Sequence, residues 1–211
     1  MLTIGLTGPS GAGKGVVASL FARYSIPSID TDAVYREILI PPSKLLNQLT
    51  GYFGTGILFP DGTLNRKALA ALVFTTDDRH AYLYRQNLEW LNHITHRAIL
   101  EEVRIRLAHM KEEGYHAVLV DAPQLFESGF DKECDRILVV HATYPTIMSR
   151  IMERDGLTEE QAKARLLNQM SPCEYRKRGD DIISNNTGMS LEGLDAQVKE
   201  ILATWEVPYE I

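Results

Sequence analysis

Alternating apolar residues begin the chain and predict its first elements. Smaller residues alternate with Leu2, Ile4 and Leu6, which is the pattern of a short buried strand. A glycine-rich segment follows. Beyond it, apolar residues recur at the i, i+3, i+4 and i+7 positions of one helix face: Val17, Leu20, Phe21 and Tyr24. The sequence therefore predicts a strand, a glycine-rich loop and a helix in direct succession.

Short apolar runs farther along the chain predict four more strands. They lie at 26–29, 117–120, 137–140 and 181–184. Little strand signal is found in 43–113, where apolar spacing predicts one helix around 64–73 and a long helix at about 77–113. This segment is therefore expected to be a helical insertion between the second and third strands of an α/β domain.

Three later helices follow from local signals. One contains Ile147 and Ile151; another begins at a capping box formed by Thr158 and Gln161 and is expected to end at Pro172. The last covers 191–205 and is expected to pack on the sheet.

Composition narrows the class of protein. A chain of 211 residues suits one α/β domain with insertions, and its net charge of −6 argues against a general nucleic-acid binder. Its two cysteines, Cys134 and Cys173, form neither a metal-ligand spacing nor a disulfide framework, which fits a reducing compartment. Because neither a signal-peptide pattern nor an apolar run of membrane-spanning length is found, we expect a cytoplasmic protein without a membrane partner.

The glycine-rich segment matches a phosphate-binding loop. Residues 8–14, GPSGAGK, fit the pattern G-x-x-x-x-G-K between a strand and a helix. Glycines allow backbone N–H groups to surround phosphate oxygens, and Lys14 supplies a point charge for the β- and γ-phosphates. The next two residues are Gly15 and Val16, so the hydroxyl that commonly reaches Mg²⁺ is absent. An ordinary glycine-rich turn is disfavoured, because spacing, lysine and flanking elements agree.

Carboxylates follow two of the predicted strands. Asp30 and Asp32 come after the second strand, and Asp121 ends the third, at the sheet edge where open α/β folds bind ligands. Asp121 is placed like a Walker-B aspartate, which can hold Mg²⁺ or its water shell. The alternatives are that these residues cap a helix or a turn.

Two further segments contain candidate residues. The stretch 150–178 is rich in cations and lies between the fourth and fifth strands, where a lid can close over a triphosphate; a solvated charged face is the alternative. His93 and His96 are spaced i, i+3, but no third ligand completes a metal site, so a structural or substrate-facing role is favoured.

Several separate motifs together resemble the dephospho-coenzyme A kinase family over nearly the whole chain. They are LTGPSGAGKG (6–15), IDTDAVYRE (29–37), DGTLNRKALAALVF (61–74), LNHITHRAI (91–99), DAPQLFESG (121–129), RIMERDGLTEEQAKARLLNQM (150–170) and DDIISNN (180–186). The phosphate loop alone is shared by many NTPases, whereas the combination is far more specific.

The resemblance implies a fold and a reaction. The fold is an α/β P-loop NTPase of the nucleoside-monophosphate-kinase-like, three-layer type, with five parallel strands in the order 2-3-1-4-5. The family pattern divides 1–211 into a core (1–40, 115–149 and 180–211), a helical acceptor-binding insertion (41–114) and a lid segment (150–179). The enzyme would be a phosphotransferase with an alcohol acceptor: ATP phosphorylates the ribose 3′-hydroxyl of dephospho-CoA, giving CoA and ADP in the last step of coenzyme A biosynthesis.

The resemblance also implies roles for individual residues. Asp32 is the expected base, and Lys14 and Arg154 act with it in catalysis. ATP is expected to contact Gly11, Ala12, Gly13, Lys14, Gly15, Val16, Arg150, Arg165 and Gln169. The acceptor is expected near Asp32, His96, Pro123, Leu125 and Glu127. Mg²⁺ is expected to be held through phosphates and water, with Asp30 or Asp121 contributing.

Some positions depart from the family pattern. Many relatives have Ser-Thr where this chain has Gly15 and Val16, Arg97 stands where a proline is common, and Gln124 replaces a frequent leucine. Two alternatives therefore stay open from the sequence: another P-loop nucleotide kinase, similar to cytidylate kinases, or a nucleotide-binding homologue without catalysis.

Overall fold

Five parallel strands form a single sheet in the computed structural model, which describes residues 1–74 and 81–209. The strands are β1 (Leu2–Thr7), β2 (Ser28–Asp30), β3 (Ala117–Asp121), β4 (Arg136–His141) and β5 (Asp181–Ser184). Their order is β2-β3-β1-β4-β5, and every neighbouring pair is parallel. The predicted α/β class and strand order are confirmed.

Helices follow the strands along the chain in the order that the sequence predicted, with additions. Within the described ranges they are α1 (Lys14–Ala22), α2 (Thr31–Ile38), α3 (Lys44–Phe53), α4 (Arg66–Val73), α5 (Ala81–Glu112), α6 (Tyr144–Asp155), α7 (Glu159–Leu167), α8 (Pro172–Arg178) and α9 (Leu191–Thr204). The expected start of the long helix near residue 77 lies outside the described residues. In 1–74 and 81–209, no helix combines the length and apolar character needed to cross a membrane.

The chain divides into two compact units. The first contains residues 1–30 and 106–211, and the second contains residues 31–105. The phosphate loop, the whole sheet and the lid segment belong to the first unit, whereas α2, α3 and α4 belong to the second.

The sheet of the first unit is covered on both faces. Alternate residues of the strands, including Ile4, Leu119 and Leu138, are fully buried with the apolar residues of α1 and α9. On the opposite face, Val139 packs with Phe126 and with Tyr175 of α8. Because successive strand side chains point to opposite faces, these two clusters make a three-layer arrangement.

The second unit has its own apolar core. Buried leucines of α3 pack with Ile57, with Leu69 of α4 and with half-buried residues of α5. Tyr52 stacks on Trp90 with ring centroids 3.9 Å apart and an interplanar angle of 9°. This core holds its helices together without any strand of the sheet.

One helix of this unit was missed by the sequence analysis. Helix α3 begins after Ser43, whose Oγ accepts a hydrogen bond from the backbone N–H of Leu46 at 2.9 Å. Its apolar residues recur at helical spacing. Gly51 inside the helix and Gly54 at its C-cap, however, resemble loop signals. The N-cap serine was the signal that could have located it.

Pro172 begins a helix instead of ending one. Helix α7 already ends at Leu167, so Gln169 lies beyond it rather than on its polar face. Pro172 stands in the first turn of α8, where a missing N–H costs nothing, and Ser171 forms a capping box with Glu174. The expected capping box of Thr158 and Gln161 is present.

Strand β2 is shorter than predicted and begins at Ser28. Pro27 precedes it and has no backbone N–H to donate to a neighbouring strand. Its carbonyl still accepts a hydrogen bond from Leu119 of β3, at 2.9 Å, and Ile26 is buried in the core.

We expect Ile4→Ala in β1 to lower the free energy of unfolding by about 2–5 kcal/mol, because the side chain is fully buried and its loss leaves a cavity. Ile105→Ala in α5 is the matched control, since that side chain is 64% exposed and surface changes usually stay within about 0.5 kcal/mol. Urea denaturation of both variants measures the difference. Equal losses would contradict the assignment of Ile4 to the core.

Candidate active site

The loop between β1 and α1 depends on its glycines. Gly8, Gly11 and Gly13 have φ values of 142°, 82° and 98°, which side chains rarely tolerate. A Cβ at Gly8 would lie 2.3 Å from the carbonyl oxygen of Val140, and one at Gly13 would lie 2.2 Å from Asn185 Nδ2. At Gly8 and Gly13 the loop therefore passes too close to the ends of β4 and β5 for a side chain.

The N-terminal end of α1 is electropositive. Its first turn contains no acidic residue, and its N-cap is Gly13, so no side chain occupies the first N–H groups as a cap. Lys14, its first residue, donates from Nζ to the carbonyl oxygen of Gly8 at 3.0 Å. The positive end of the helix dipole and the ammonium group thus lie at the same loop, an arrangement that favours phosphate.

The carbonyl groups of the loop are held by two residues from later in the chain. Asn185 is buried and donates from Nδ2 to the carbonyl oxygen of Ala12 at 2.8 Å. Arg150 of α6 donates from Nη1 to Asn185 O at 3.0 Å and to Gly11 O at 3.3 Å. Arg150 therefore contacts the loop, as a nucleotide-site residue should, but through backbone carbonyls.

Asn185 is a site residue that the sequence analysis did not single out. It directly follows β5, so it lies at the carboxyl edge of the sheet. That position, together with its place in the motif DDIISNN, was the available signal.

The lid segment brings two arginines onto one carboxylate. Arg154 donates from Nε and Nη2 to the two oxygens of Asp155, both at 2.8 Å, and Arg165 of α7 donates from Nη1 to Asp155 Oδ2. Hydrogen bonds lower the pKa of Asp155 to about 2, the larger contribution coming from Arg154 and a smaller one from Arg165. Asp155 is consequently ionised at neutral pH and balances part of the charge of both arginines.

Ser10 links the lid segment to the phosphate loop. Its backbone N–H donates to Gln169 Oε1 at 3.0 Å, and its Oγ accepts from Arg154 Nη2 at 3.3 Å. The structure thus brings three of the four predicted lid residues, Arg150, Arg154 and Gln169, into contact with the loop. Arg165 contacts Asp155.

Two carboxylates lie side by side at the carboxyl edge of the sheet. Asp30 at the end of β2 is the register partner of Asp121 at the end of β3, and Asp121 also pairs with Leu6 of β1. The strand that leads into the phosphate loop therefore lies next to Asp121. Carboxylate oxygens are the ligands that Mg²⁺ and its water shell prefer, so the donor chemistry of this edge fits such an ion.

Asp32 and His96 belong to the second unit. Asp32 is exposed in the first turn of α2, and His96 is half-buried on α5. The border between the units falls between Asp30 and Thr31, so Asp30 and Asp32 lie in different units although one residue separates them in sequence.

The loop after β3 contains the other predicted acceptor residues. Leu125 is fully buried, and its methyl groups fill the space beside Gly5, where a Cβ would lie 2.8 Å from Leu125 Cδ2. Pro123 is half-buried and Glu127 is exposed. Glu127 also acts on Tyr175, whose pKa is raised to about 12 by burial and by this nearby carboxylate.

Helix α8, which the sequence analysis did not predict, places Arg178 beside the loop that follows β3. The guanidinium carbon of Arg178 lies 4.3 Å from the ring centroid of Phe126. Burial and the nearby Arg176 lower the pKa of His141 at the end of β4. All three basic residues at 176–178 are exposed, and Arg178 also lies over the Phe126 ring.

Comparison with known proteins identifies the family. The family model described as dephospho-CoA kinase matches residues 2–190. The chain belongs to the dephospho-CoA kinase family. Proteins of that name from Bacillus thuringiensis subsp. konkukian and Corynebacterium glutamicum are each 36% identical to it, over 98% and 96% of both chains respectively.

Solved structures agree with the chain in fold. A Thermus thermophilus protein has a TM-score of 0.76 and 31% identity, over 96% of this chain and 97% of its own. The dephospho-CoA kinase from Campylobacter jejuni has a TM-score of 0.68 and 24% identity, over 96% of each chain, which shows the fold. The predicted family, fold class and enzyme class are confirmed: the dephospho-CoA kinase family assignment makes the chain a P-loop kinase.

We expect Gly13→Ala to destabilise the protein by at least about 1–2 kcal/mol, the cost of a left-handed backbone for a residue with Cβ. The clash with Asn185 adds to this cost. Gly15→Ala is the matched control, because no atom lies within 4 Å of its Cβ position and its φ is not positive; alanine inside a helix is usually favourable. Thermal unfolding of the two variants tests this, and similar midpoints would contradict the described loop conformation.

Proposed function

We propose that this chain transfers the γ-phosphoryl group of ATP to the ribose 3′-hydroxyl of dephospho-CoA, giving CoA and ADP, the last step of coenzyme A biosynthesis. The observation that carries the proposal is the loop at 8–14, whose positive-φ glycines, Lys14 and helix terminus form a phosphate cradle in a member of this family. ATP as donor and dephospho-CoA as acceptor follow from the family. The alternative of a cytidylate-type kinase is not favoured, since the match extends over the acceptor segments as well.

In this proposal the loop and the lid segment hold the triphosphate. Backbone N–H groups of 11–16 and the ammonium group of Lys14 bind the phosphate oxygens. Arg150 and Asn185 hydrogen-bond the carbonyl oxygens of Gly11 and Ala12, which holds the loop in shape for the ligand. Arg154 and Arg165 supply guanidinium groups for the transferring phosphoryl group, and Gln169 contacts the loop at Ser10.

Asp32 is proposed as the base that orients the ribose hydroxyl and accepts its proton. The motif IDTDAVYRE supports this assignment, and so does the exposure of Asp32 in the first turn of α2. The acceptor also meets His96, Pro123 and Glu127, while Leu125 supports its own loop from within the core.

Mg²⁺ is proposed to bind through phosphate oxygens and water. Gly15 and Val16 offer no hydroxyl, and Mg²⁺ keeps several waters readily, so few protein ligands are needed. Asp30 and Asp121, adjacent at the sheet edge, are the residues that accept hydrogen bonds from those waters. When bound, the ion neutralises charge on the β- and γ-phosphates.

We further propose that the enzyme works in the cytoplasm on these small molecules. The two cysteines at 134 and 173 are both free, as expected in a reducing compartment. The acidic net charge of −6 is unfavourable for a nucleic-acid partner.

A coupled assay of ADP release tests the reaction. The purified chain is expected to release ADP rapidly with ATP and dephospho-CoA, and slowly with CMP or with no acceptor. Lys14→Ala should lower turnover by about 10²–10³-fold, the scale for one preorganised charge donor. Lys132→Ala, an exposed lysine outside the site, is the control. Rapid turnover with CMP but not with dephospho-CoA would overturn the proposed substrate.

Asp32→Asn keeps the size of the side chain and removes its charge. A positioned base contributes about 10²–10⁴-fold, and a dissociative phosphoryl transfer favours the lower part of that range. We therefore expect turnover to fall about 10²-fold while ATP affinity, measured by calorimetry, stays within about threefold. Unaltered turnover, where chemistry limits the rate, would move the role to Asp30 or Asp121.

A further inference from the structure

Asp155 occupies a position that local electrostatics disfavour. It is the last residue of α6, and Gly156 follows with φ 63° as the C-cap. The C-terminal end of a helix has partial negative charge, so a carboxylate there is unfavourable unless something compensates for it. A residue that breaks a local rule in this way is often retained for function.

The compensation comes from two arginines on different helices. Arg154 forms a bidentate pair with Asp155, and Arg165 of α7 joins the same carboxylate. By contrast, the ion pair of Lys163 with Glu159 within α7 is a simple i,i+4 pair. Asp155 instead holds together two guanidinium groups that would otherwise repel each other.

The exposure of Arg154 and Arg165 would allow these arginines to exchange Asp155 for a phosphate group. Asp155 is 25% exposed, whereas Arg154 and Arg165 are 58% and 44% exposed. The arginines therefore cover the carboxylate and still face solvent. Arg154 Nη2 also donates to Ser10 Oγ in the phosphate loop, so the cluster lies beside the loop.

Gln169 occupies a hydrogen-bond donor of Ser10, as Asp155 occupies donors of the two arginines. Its Oε1 accepts the hydrogen bond of the Ser10 backbone N–H. Hydrogen-bond acceptors of the lid segment thus occupy donors at the phosphate loop that an incoming phosphate could use.

We propose that Asp155 is a positioning residue that stands in for a phosphoryl group: it keeps Arg154 and Arg165 converged beside Ser10 and competes with the nucleotide for them. The proposal deepens the proposed function and rests on it for the identity of the phosphoryl donor. Asp155 itself touches no substrate; it acts through the two arginines.

The variant Asp155→Asn separates competition with the nucleotide from the positioning of the two arginines. Without the competing charge, both arginines attract phosphate more strongly, so ATP is expected to bind about three- to tenfold tighter by calorimetry. Without the shared anchor the guanidinium groups no longer converge, so turnover is expected to fall about tenfold or more. A role only in folding would weaken ATP binding or leave it unchanged. Asp155→Glu should restore part of the turnover.

A comparison of combined variants tests whether Asp155 changes ATP binding through the two arginines. In an Arg154→Ala, Arg165→Ala background, Asp155→Asn should no longer tighten ATP binding. Glu159→Gln, which removes another ion-paired carboxylate of the lid segment, is the matched control and should change neither ATP affinity nor turnover.

Unchanged or weaker ATP binding in Asp155→Asn, or tightening that persists without the arginines, overturns the proposal. The calorimetric measurement of binding uses ATP without an acceptor. A failure of the proposed acceptor would therefore appear in the turnover of the natural protein and leave this test intact.

Discussion

The structure of the first unit depends on the glycine-rich loop at 8–14, two of whose carbonyl groups are hydrogen-bonded by residues from later in the chain. Gly13 reaches a φ of 98°, and a side chain there would collide with Asn185. The same Asn185 then accepts Arg150 and donates to Ala12. Because unsatisfied buried carbonyls are costly, these contacts stabilise the loop.

An acidic chain has to concentrate its cations to bind a triphosphate. The net charge is −6, yet Lys14, Arg150 and Arg154 all contact the loop. Guanidinium groups placed together repel one another, and Asp155 offsets this by accepting from two of them. The resulting cluster therefore carries less net positive charge than its cations alone would give.

The two units divide the predicted tasks between them. The first holds the phosphate loop, the lid segment and the neighbouring carboxylates Asp30 and Asp121. The second is stabilised by its own cluster around Leu49 and Trp90, and it contains Asp32 and His96. A separate core allows the second unit to keep its shape independently of the sheet.

Local periodicity predicted most of the fold from the sequence, including the five strands and helices α1, α4, α6 and α9, because these patterns depend on residues within one or two turns. The phosphate loop was predicted from its motif. It failed at α3 and at Pro172, where glycine and proline act as breakers in one context and as parts of a helix in another. The motifs also identified the family. The contacts of the site were decided only by tertiary structure: Arg150 with Gly11 and Asn185 with Ala12 join residues 139 and 173 positions apart. No periodic pattern records such pairs, because they arise when parallel strands bring distant chain segments to one edge of the sheet.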